Sequence, residues 1–456
     1  MTAGDLAAAL SQKIEARLFL PERELLPNLD DIYELQLAFY ENLVLSEAEI
    51  LHNGAYFAKA GGKYTRHFLM CTGEPLKLPD HSSSRLKSFF EKNLFRTGYA
   101  THGLFPYRGK FHPQMIKGLL NAMGLKQGEK VLDPMMGSGT VAVEASLMGI
   151  DSVGIDASPF CRFMAQTKVD TLTMPLKRAK AALINSEEVF SYFQKKVGKP
   201  AGGSKSRKRK PTGGYMEVME PAADYVMATN RERLSERERE TSETYNFLLL
   251  AYLDSAGYAE RSNRKSPLEQ FRAILERYLF VAEKIQAVLQ GVESELGKAR
   301  LLEGDARVLA LENESVDGIV FSPPYSFAID YLQNDSFHLD FLGVDGDELR
   351  QKMIGLRGQK LTEKFDCYHK DMERVLSECA RVLRRGRICT IIVGTNNNQL
   401  SKILGIPAEA VRGLHELLIE IAARHDLKLV KMMSRSIVGI SNTMRREYIL
   451  MLQRST

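Results

Sequence analysis

The chain has 456 residues, 44% of them hydrophobic and 26% charged, which are the proportions of a globular protein too long for one ordinary core. Lys and Arg number 62 against 57 for Asp and Glu, and the net charge of +5 permits a polyanionic partner without requiring one. The five scattered cysteines lack a C-x-x-C spacing and no apolar stretch has membrane-spanning length, so we expect a cytoplasmic protein without disulfides, a metal site or membrane contact.

The first part of the chain, residues 1–98, is predicted to be a helical region of unknown role. Apolar residues in the segment 32–40 recur near the helical period. Glycines and prolines then punctuate a loop over residues 99–113, and an amphipathic helix is predicted over 115–123. The sequence pattern thus changes near residue 98 from helical periodicity to a loop rich in glycine and proline, and we expect a second domain to start there.

Strands and helices alternate after this loop. Strands are predicted over 130–132 and 152–155, and helices over 140–148 and 159–169. Such alternation predicts a parallel sheet with helices on both faces, joined by right-handed crossovers. We therefore assign residues 99–175 to the first half of an α/β domain.

A section of different character, residues 176–296, interrupts this alternation. It contains the basic loop Lys205–Lys210 and predicted helices over 245–253 and 268–289, so we interpret it as a mainly helical insertion. The second half of the α/β domain follows in residues 297–456. Its predicted elements are strands over 300–302, 318–321, 388–393, 427–432 and 447–452 and helices over 368–383 and 408–423.

The turn after the first strand of this domain contains residues typical of a ligand-binding site. Its sequence is Asp133-Pro134-Met135-Met136-Gly137-Ser138-Gly139-Thr140, and Asp156 ends the next strand. Ligands of doubly wound sheets lie beyond the carboxyl ends of the strands, where glycines let the backbone approach and a helix N-terminus offers amides. We expect Asp133 to accept from an ammonium group and Asp156 to accept from ribose hydroxyls. Taken alone, the segment is also compatible with a purely structural turn.

A second turn, Ser322-Pro323-Pro324-Tyr325, follows the predicted strand at 318–321. The two prolines fix the backbone, so the carbonyls of Ser322 and Pro323 are held in a stiff turn. A serine oxygen and a backbone carbonyl can accept the hydrogens of an exocyclic amine and localise its lone pair for attack on a sulfonium methyl group. Tyr325 offers a flat face for a base flipped out of a duplex. Together the two turns indicate an enzyme that uses S-adenosylmethionine to methylate an exocyclic amine.

Motifs missing from the sequence narrow this chemistry. No G-x-x-x-x-G-K-[ST] motif is present and the first turn lacks the full G-x-G-x-x-G, which disfavours nucleoside triphosphates and nicotinamide cofactors. No Pro-Cys dipeptide occurs either, and methylation at carbon 5 of cytosine requires a nucleophilic cysteine. The methyl acceptor is therefore expected to be nitrogen.

The two turns, in this order, resemble the signatures D-P-x-x-G-S-G-T and [SDN]-P-P-[YF] of the DNA amino-methyltransferases. The segments Gly304–Arg307 and Tyr448–Leu450 also look like parts of that pattern, so the resemblance covers residues 99–175 and 297–456. It implies that Asp305 contacts the adenine amine of the cofactor. It also implies that the loop before the first strand, through Lys110, Phe111, His112 and Pro113, closes over the cofactor and the target.

The same resemblance implies an α/β protein with a Rossmann-like methyltransferase fold and a mostly parallel doubly wound sheet. The residue pattern adds a helical N-terminal region and a large, mainly helical insertion, whose position departs from the family's pattern. Ser322 in first position is more similar to members that act on cytosine. We therefore expect a site-specific DNA methyltransferase that flips a base and methylates N4 of cytosine, with the insertion as its target-recognition region and with a restriction enzyme as a compatible partner. The alternatives are adenine-N6 methylation, a tRNA guanosine-N2 methyltransferase, whose motifs are also similar, and a catalytically silent nucleic-acid-binding subunit.

Basic side chains are candidate contacts to the nucleic-acid backbone. Five of the six residues Lys205–Lys210 are basic, and Arg350, Lys352, Arg357 and Lys360 follow the Pro-Pro turn. Such groups neutralise phosphates without reading sequence, although a solvated surface loop has the same composition. DNA is the expected partner in preference to tRNA.

Overall fold

The computed structural model describes residues 18–27, 29, 31–76, 78, 80, 97–107, 109–196, 219, 234–259, 266–290, 295–324, 331–394, 397–436 and 446–456. Its strands, in chain order, are β1 (Arg23–Leu25), β2 (Phe57–Ala60), β3 (Lys63–Tyr64), β4 (Lys130–Asp133), β5 (Asp151–Asp156), β6 (Ala299–Glu303), β7 (Val316–Phe321), β8 (Leu383–Gly394), β9 (Leu427–Ser436) and β10 (Arg446–Arg454). Its helices are α1 (Ile32–Val44), α2 (Glu47–Asn53), α3 (Arg66–Cys71), α4 (Pro113–Ala122), α5 (Thr140–Leu147), α6 (Pro159–Asp170), α7 (Lys177–Ile184), α8 (Ser186–Lys196), α9 (Glu236–Ala259), α10 (Pro267–Leu289), α11 (Tyr331–Phe341), α12 (Gly346–Lys352), α13 (Leu361–Val382), α14 (Asn397–Leu404) and α15 (Leu414–Arg424). Short 3-10 turns cover Ala100–Gly103 and Ala408–Ala410.

Seven of the described strands form the central sheet, in the order β6-β5-β4-β7-β8-β10-β9. The first five run parallel, whereas β10 is antiparallel to both of its neighbours. Numbered within the sheet, the order is 3-2-1-4-5-7-6, which departs from the dinucleotide-binding order 3-2-1-4-5-6 by the reversed strand β10. The prediction of a mostly parallel, Rossmann-like doubly wound sheet is confirmed.

Strand order reverses between β4 and β7, the two strands that precede the two chemical turns. These strands pair in parallel, with Val131 opposite Gly318 and Leu132 opposite Ile319. Their carboxyl ends therefore lie side by side at the switch point of the sheet, where doubly wound folds bind ligands. The topology thus brings together two turns that are about 180 residues apart in the sequence.

Alternate residues of the central strands face two separate cores, as strand geometry requires. Leu132, Ile319 and Leu450 pack with α13 and α15 on one face. Val131 and Ile449 pack on the other face, together with α1, α4 and α5. The sheet is therefore covered by helices on both sides, as the β-α-β alternation predicts.

The N-terminal region is not wholly helical, which corrects the prediction for residues 1–98. Strands β1, β2 and β3 form a small antiparallel sheet between the helices. These strands are only two to four residues long. Such short segments are too short to show the alternation of apolar and polar residues from which a strand is predicted. Helix α1 packs on α4, which joins the region to the face of the central sheet.

Helices α7, α8, α9 and α10 form the described part of the insertion, in agreement with the predicted helical character. Their apolar faces share one core with α6, α11 and α12. The basic loop Lys205–Lys210 lies outside the described residues. Within the described ranges, no helix combines the length and apolar character needed to cross a membrane.

Candidate active site

The glycine turn, residues 133–140, and the Pro-Pro turn, residues 322–325, both contribute residues to one open cleft at the carboxyl ends of β4 and β7. The space between its walls, about 630 Å³, includes solvent at the open mouth of the cleft. The walls come from three segments and three further side chains: Met135–Ser138 with Thr140, Ser322–Pro324, Tyr107 with Gly109–Phe111, and Asp156, Cys161 and Met353. The expected meeting of the glycine turn and the Pro-Pro turn is thus present in the structure.

The glycine turn is shaped by two residues with left-handed backbone angles. Gly137 has φ +46° and Gly139 has φ +76°, a region that disfavours side chains. A Cβ on Gly139 would stand 2.6 Å from the Cβ of Ala165 in α6, so this glycine also permits close packing. The amide of Met136 donates to the carbonyl of Ile155 at 2.9 Å, which fastens the turn to β5.

Asp133 lies buried at the end of β4. Its Oδ1 accepts from the Met135 amide at 3.1 Å, whereas its Oδ2 is buried without a hydrogen-bond partner among the described residues. Burial raises the pKa of this carboxyl well above its ordinary value, and the charge of Asp156 adds to the effect. Asp133 is not itself part of the cleft wall, which includes Met135–Ser138 of the same turn. An unsatisfied buried oxygen costs roughly 1–3 kcal/mol, and a ligand that donates to it would offset that cost.

Asp156 closes the adjacent strand β5 and lines the cleft. Its Oδ2 accepts from the Gly137 amide at 2.9 Å and its Oδ1 accepts from the Ser158 amide at 2.8 Å. Burial raises the pKa of the carboxyl, although these two amides lower it. Each oxygen keeps a further lone pair, so the carboxylate can accept from two neighbouring hydroxyls.

The described residues of the Pro-Pro turn form another wall of the cleft. Ser322 Oγ donates to the Pro323 carbonyl at 3.3 Å, and Ser322, Pro323 and Pro324 all line the cleft. A hydroxyl that donates in this way keeps its lone pairs for another donor. Tyr325, the fourth residue of the predicted motif, lies outside the described residues.

The loop before α4 forms a further wall of the cleft. Phe111 and Lys110 line the cleft, whereas His112 is the N-cap of α4 and is not part of its wall. Lys110 Nζ donates to the carbonyls of Thr97 at 2.9 Å and His102 at 3.0 Å, which folds the loop back on itself. Burial lowers the pKa of Lys110 to about 8, and the charge of Arg277 contributes.

Sequence reasoning missed the Tyr107 and Cys161 side chains of the cleft and a carboxylate that interacts with one of its residues. Tyr107 places its hydroxyl 3.4 Å from Cys161 Sγ of α6, and both residues line the cleft. Asp335 of α11 lies close enough to Asp156 for their charges to interact, and burial followed by that interaction raises its pKa to about 7. These residues are joined by tertiary packing, so no local spacing could have identified them.

Asp305 lies just beyond the end of β6 and is not part of the cleft wall. The Arg307 guanidinium holds its carboxylate with three hydrogen bonds of 2.8–3.0 Å. Burial opposes ionisation of Asp305, but the bonds to Arg307 outweigh it and lower the pKa. Arg307 also donates to Asp371 Oδ1 at 3.1 Å and to the Lys352 carbonyl at 2.9 Å, so the turn is tied to the segment that carries Met353.

Two of the basic residues after the Pro-Pro turn are paired with acids. Lys352 pairs with Glu348 at 2.7 Å, and Arg357 pairs with buried Asp371. Pairing satisfies part of their hydrogen-bonding capacity and weakens them as phosphate contacts. Their role in nucleic-acid binding stays a prediction.

A family model described as UPF0020, RMKL-like methyltransferase domain, matches residues 104–193. This range holds the loop before α4, the glycine turn and Asp156. The match and the strand order agree with the sequence-based resemblance. The chain therefore contains a methyltransferase domain of the class that uses S-adenosylmethionine.

Three curated relatives share segments with the chain. Type II methyltransferase M.BsoBI of Geobacillus stearothermophilus is 22% identical over 308 residues, which are 59% of this chain and 59% of that protein. Type II methyltransferase M.MjaII of Methanocaldococcus jannaschii is 40% identical over 91 residues, 20% of this chain and 17% of that protein. The tRNA (guanine(10)-N2)-dimethyltransferase of Methanothermobacter thermautotrophicus is 40% identical over 52 residues, 11% of this chain and 16% of that protein. The chain thus spans less than two thirds of the length of each relative.

Proposed function

We propose that the protein transfers a methyl group from S-adenosylmethionine to an exocyclic amine of a DNA base, at N4 of cytosine. The observation that carries this proposal is the shared cleft, which is lined by residues of a cofactor-type glycine turn and of a Ser-Pro-Pro turn. One turn offers groups for a cationic nucleoside and the other offers acceptors for an amine. Methyl transfer requires those two partners to stand in line.

The residues of the first turn fit the cofactor. Buried Asp133 Oδ2 lacks a partner among the described residues and suits an ammonium group, while Asp156 suits the ribose hydroxyls. The amides at the start of α5 suit a carboxylate. Pro134, Ser138, Gly139 and Thr140 shape this cradle, and Phe111 covers it from the loop. S-adenosylmethionine would supply an activated methyl group whose bond to sulfur breaks as the new bond to nitrogen forms.

The second turn would hold the amine of the target base. Ser322 Oγ and the Pro323 carbonyl accept its two hydrogens, and this contact draws the nitrogen lone pair out of the ring system. The prolines hold the Pro323 carbonyl in place before the target arrives, and the bond from Ser322 Oγ to that carbonyl orients the hydroxyl, so little ordering is needed during the reaction. Tyr325 would stack on the flipped base.

Three features support DNA and cytosine in particular. Two of the relatives are named type II methyltransferases, and one of them aligns over 308 residues. Serine precedes the Pro-Pro pair, as in the members that act on cytosine. The helical insertion packs directly on α6 and α11 beside the cleft and is the proposed target-recognition region.

A tRNA guanosine-N2 methyltransferase is the second candidate. The observation that favours it is the 40% identity over 52 residues to the tRNA (guanine(10)-N2)-dimethyltransferase. The same acceptors at Ser322 and Pro323 would hold the guanine amine. The two candidates differ in the nucleic acid and not in the chemistry of the cleft.

Nucleoside analysis separates these candidates. The purified protein is incubated with methyl-labelled S-adenosylmethionine and with plasmid DNA or bulk tRNA, and the digested nucleosides are identified by mass. The expected product is N4-methylcytosine from DNA. N6-methyladenine or N2-methylguanosine would replace the proposed acceptor, and the absence of label from both substrates would indicate a silent subunit.

Substitution Ser322→Ala tests the role of the second turn. It removes one amine acceptor and leaves the cofactor cradle unchanged, so we expect kcat to fall by about a hundredfold at constant cofactor affinity. Ser315→Ala is the matched control, because that hydroxyl bonds the Glu312 carbonyl at the other end of β7. Equal turnover of both variants would remove Ser322 from the reaction.

A further inference from the structure

The loop that walls the cleft contains a residue in an unfavourable backbone conformation. Phe105 has φ +59°, in the left-handed region that a bulky side chain rarely adopts. Such residues persist only where their surroundings fix them, and they cluster at functional sites. The contacts of Phe105 therefore indicate what holds the loop in shape.

One of these contacts comes from the insertion. The Phe105 amide donates to the hydroxyl of Tyr278 in α10 at 2.8 Å, and both residues are buried. The Phe105 ring meets Phe160 of α6 edge-on at 5.3 Å and His338 of α11 at 5.1 Å. Ring packing holds the side chain, and the tyrosine hydroxyl satisfies the backbone amide.

Tyr278 is itself fixed within the insertion. Its hydroxyl donates to Asp254 Oδ2 of α9 at 3.1 Å, and Asp254 also pairs with Arg277 at 2.7 Å. The Arg277 guanidinium lies 5.4 Å from the centre of the Tyr278 ring, and Phe247 packs against that ring edge-on at 5.7 Å. The hydroxyl is therefore a preset acceptor with little freedom to move.

The strained residue lies next to the wall of the cleft. The Tyr107 amide donates to the Phe105 carbonyl at 3.0 Å, so the turn at Phe105 sets the course of the following residues. Tyr107 and Gly109–Phe111 then line the cleft, and Tyr107 lies beside the glycine turn, where a Cβ on Gly137 would stand 3.6 Å from its ring. A rigid chain of contacts thus runs from Asp254 through Tyr278 and Phe105 to the cofactor side of the cleft.

We propose that Tyr278 is a positioning residue for the cofactor, and that the insertion completes the cofactor cleft by holding Phe105 in its left-handed turn. The inference rests on the proposed function in so far as the cleft binds S-adenosylmethionine. It gives the insertion a second role in addition to target recognition. Loss of the Tyr278 hydroxyl leaves the Phe105 amide without its acceptor and releases the loop, while the ring continues to fill the core.

The test compares Tyr278→Phe with the unchanged protein by hydrogen–deuterium exchange and by titration with S-adenosylmethionine. We expect faster exchange in peptides that cover residues 104–111 and a cofactor dissociation constant raised by about five- to tenfold. Exchange in the other peptides reports any general loss of stability in the same sample. The change in kcat at saturating cofactor should be smaller than the change in cofactor KM.

Tyr252→Phe is the matched control, since Tyr252 is also buried in the insertion and packs on Phe193 and Phe271. It should leave the exchange of residues 104–111 and the cofactor affinity unchanged. Unaltered exchange and affinity in Tyr278→Phe, or equal changes in both variants, would overturn the proposal. A protein that shows the expected differences but methylates neither DNA nor tRNA would contradict the proposed function and leave the positioning role standing.

Discussion

One carboxyl oxygen, Oδ2 of Asp133, lies buried at the end of β4, immediately before the turn that contributes to the cleft. Buried polar atoms in folded proteins are nearly always hydrogen-bonded, and this one lacks a partner among the described residues. A ligand that donates a hydrogen bond to this oxygen would offset the free-energy cost of its burial. Its buried surroundings also strengthen any bond to a cation, because the local dielectric is low.

Substitution Asp133→Asn should therefore separate cofactor binding from folding. The amide oxygen can replace Oδ1 as the acceptor for Met135, but an NH₂ group would then face the ligand's ammonium. We expect a cofactor dissociation constant at least about tenfold higher, measured by calorimetry, with little loss of unfolding free energy.

Asp317→Asn provides the control for that substitution. Asp317 is also a buried carboxylate of the central sheet, but it lies near the start of β7, where it accepts from the Lys130 amide at 2.9 Å and pairs with Arg384. Its loss should lower stability and leave cofactor affinity intact. Equal cofactor affinities of the two variants would contradict the role given to Asp133.

The sequence predicted some site residues and not others, for a physical reason. Asp133 and Asp156 end strands and Gly137 lies in the turn after the first of them, so their place at the sheet edge depends on local pattern alone. Tyr107 lines the cleft and Asp335 interacts with Asp156 through the packing of the loop and α11, which no spacing encodes. Asp305 was expected to contact the cofactor. The structure instead pairs its carboxylate with the Arg307 guanidinium and does not include it in the cleft wall, so its role in cofactor binding stays a prediction.

Helix α5 is joined to its neighbours by one buried carboxylate. Glu144 Oε1 accepts from the Tyr99 hydroxyl at 2.6 Å and lies 2.7 Å from His102 Nε2, while Oε2 is 3.5 Å from Lys117 Nζ of α4. Burial alone would raise the pKa of Glu144, but the Lys117 charge and the bonds to His102 and Tyr99 lower it to about 2. The network thus binds the 3-10 turn before the cleft loop to the helix that starts at the glycine turn.

The sign of this pKa change predicts a pH effect. A carboxyl whose pKa falls from 4.5 to about 2 on folding stabilises the protein above pH 4.5, and the contribution is lost as the pH falls from 4.5 to 2. Glu144→Gln should lower the free energy of unfolding by roughly 3 kcal/mol at neutral pH, and the difference should shrink within that window. Urea unfolding at several pH values measures it. The exposed Glu187→Gln should show no such trend, and a pH-independent difference for Glu144→Gln would refute the ionic role.

The secondary-structure elements were predicted best where the sequence has a clear apolar pattern. The strands β4, β5 and β7 contain short runs rich in Val and Ile, and the helices α5, α6 and α10 show the helical period over at least two turns. All six elements fall within a few residues of the expected bounds. The helix expected over 408–423 begins only at Leu414. A 3-10 turn and Gly413 precede it, and tertiary packing rather than the apolar period decides that boundary.

At the scale of the whole molecule, the N-terminal region and the α/β domain share a core. Buried Leu37 and Tyr56 belong to the same cluster as Ile116 of α4 and Val131 of β4. Glu41 of α1 adds polar contacts across this boundary, since its carboxyl accepts from the Asn121 side chain of α4 at 2.6 Å. Described residues of the N-terminal region therefore pack on one face of the methyltransferase sheet. This differs from the separate domain that the change of sequence pattern near residue 98 predicts.

Substitution Leu37→Ala tests this shared core. The side chain is fully buried, and its truncation should cost about 3 kcal/mol through lost burial and the cavity left behind. If the core is common, the loss lowers one cooperative transition, and calorimetry should show the N-terminal region and the cofactor-binding sheet melting together at a reduced Tm. Leu43→Ala on the same helix is the control, since Leu43 is 63% exposed and should change Tm little. A second transition, in which cofactor binding keeps its original Tm while another part melts earlier, would show that the two regions fold independently.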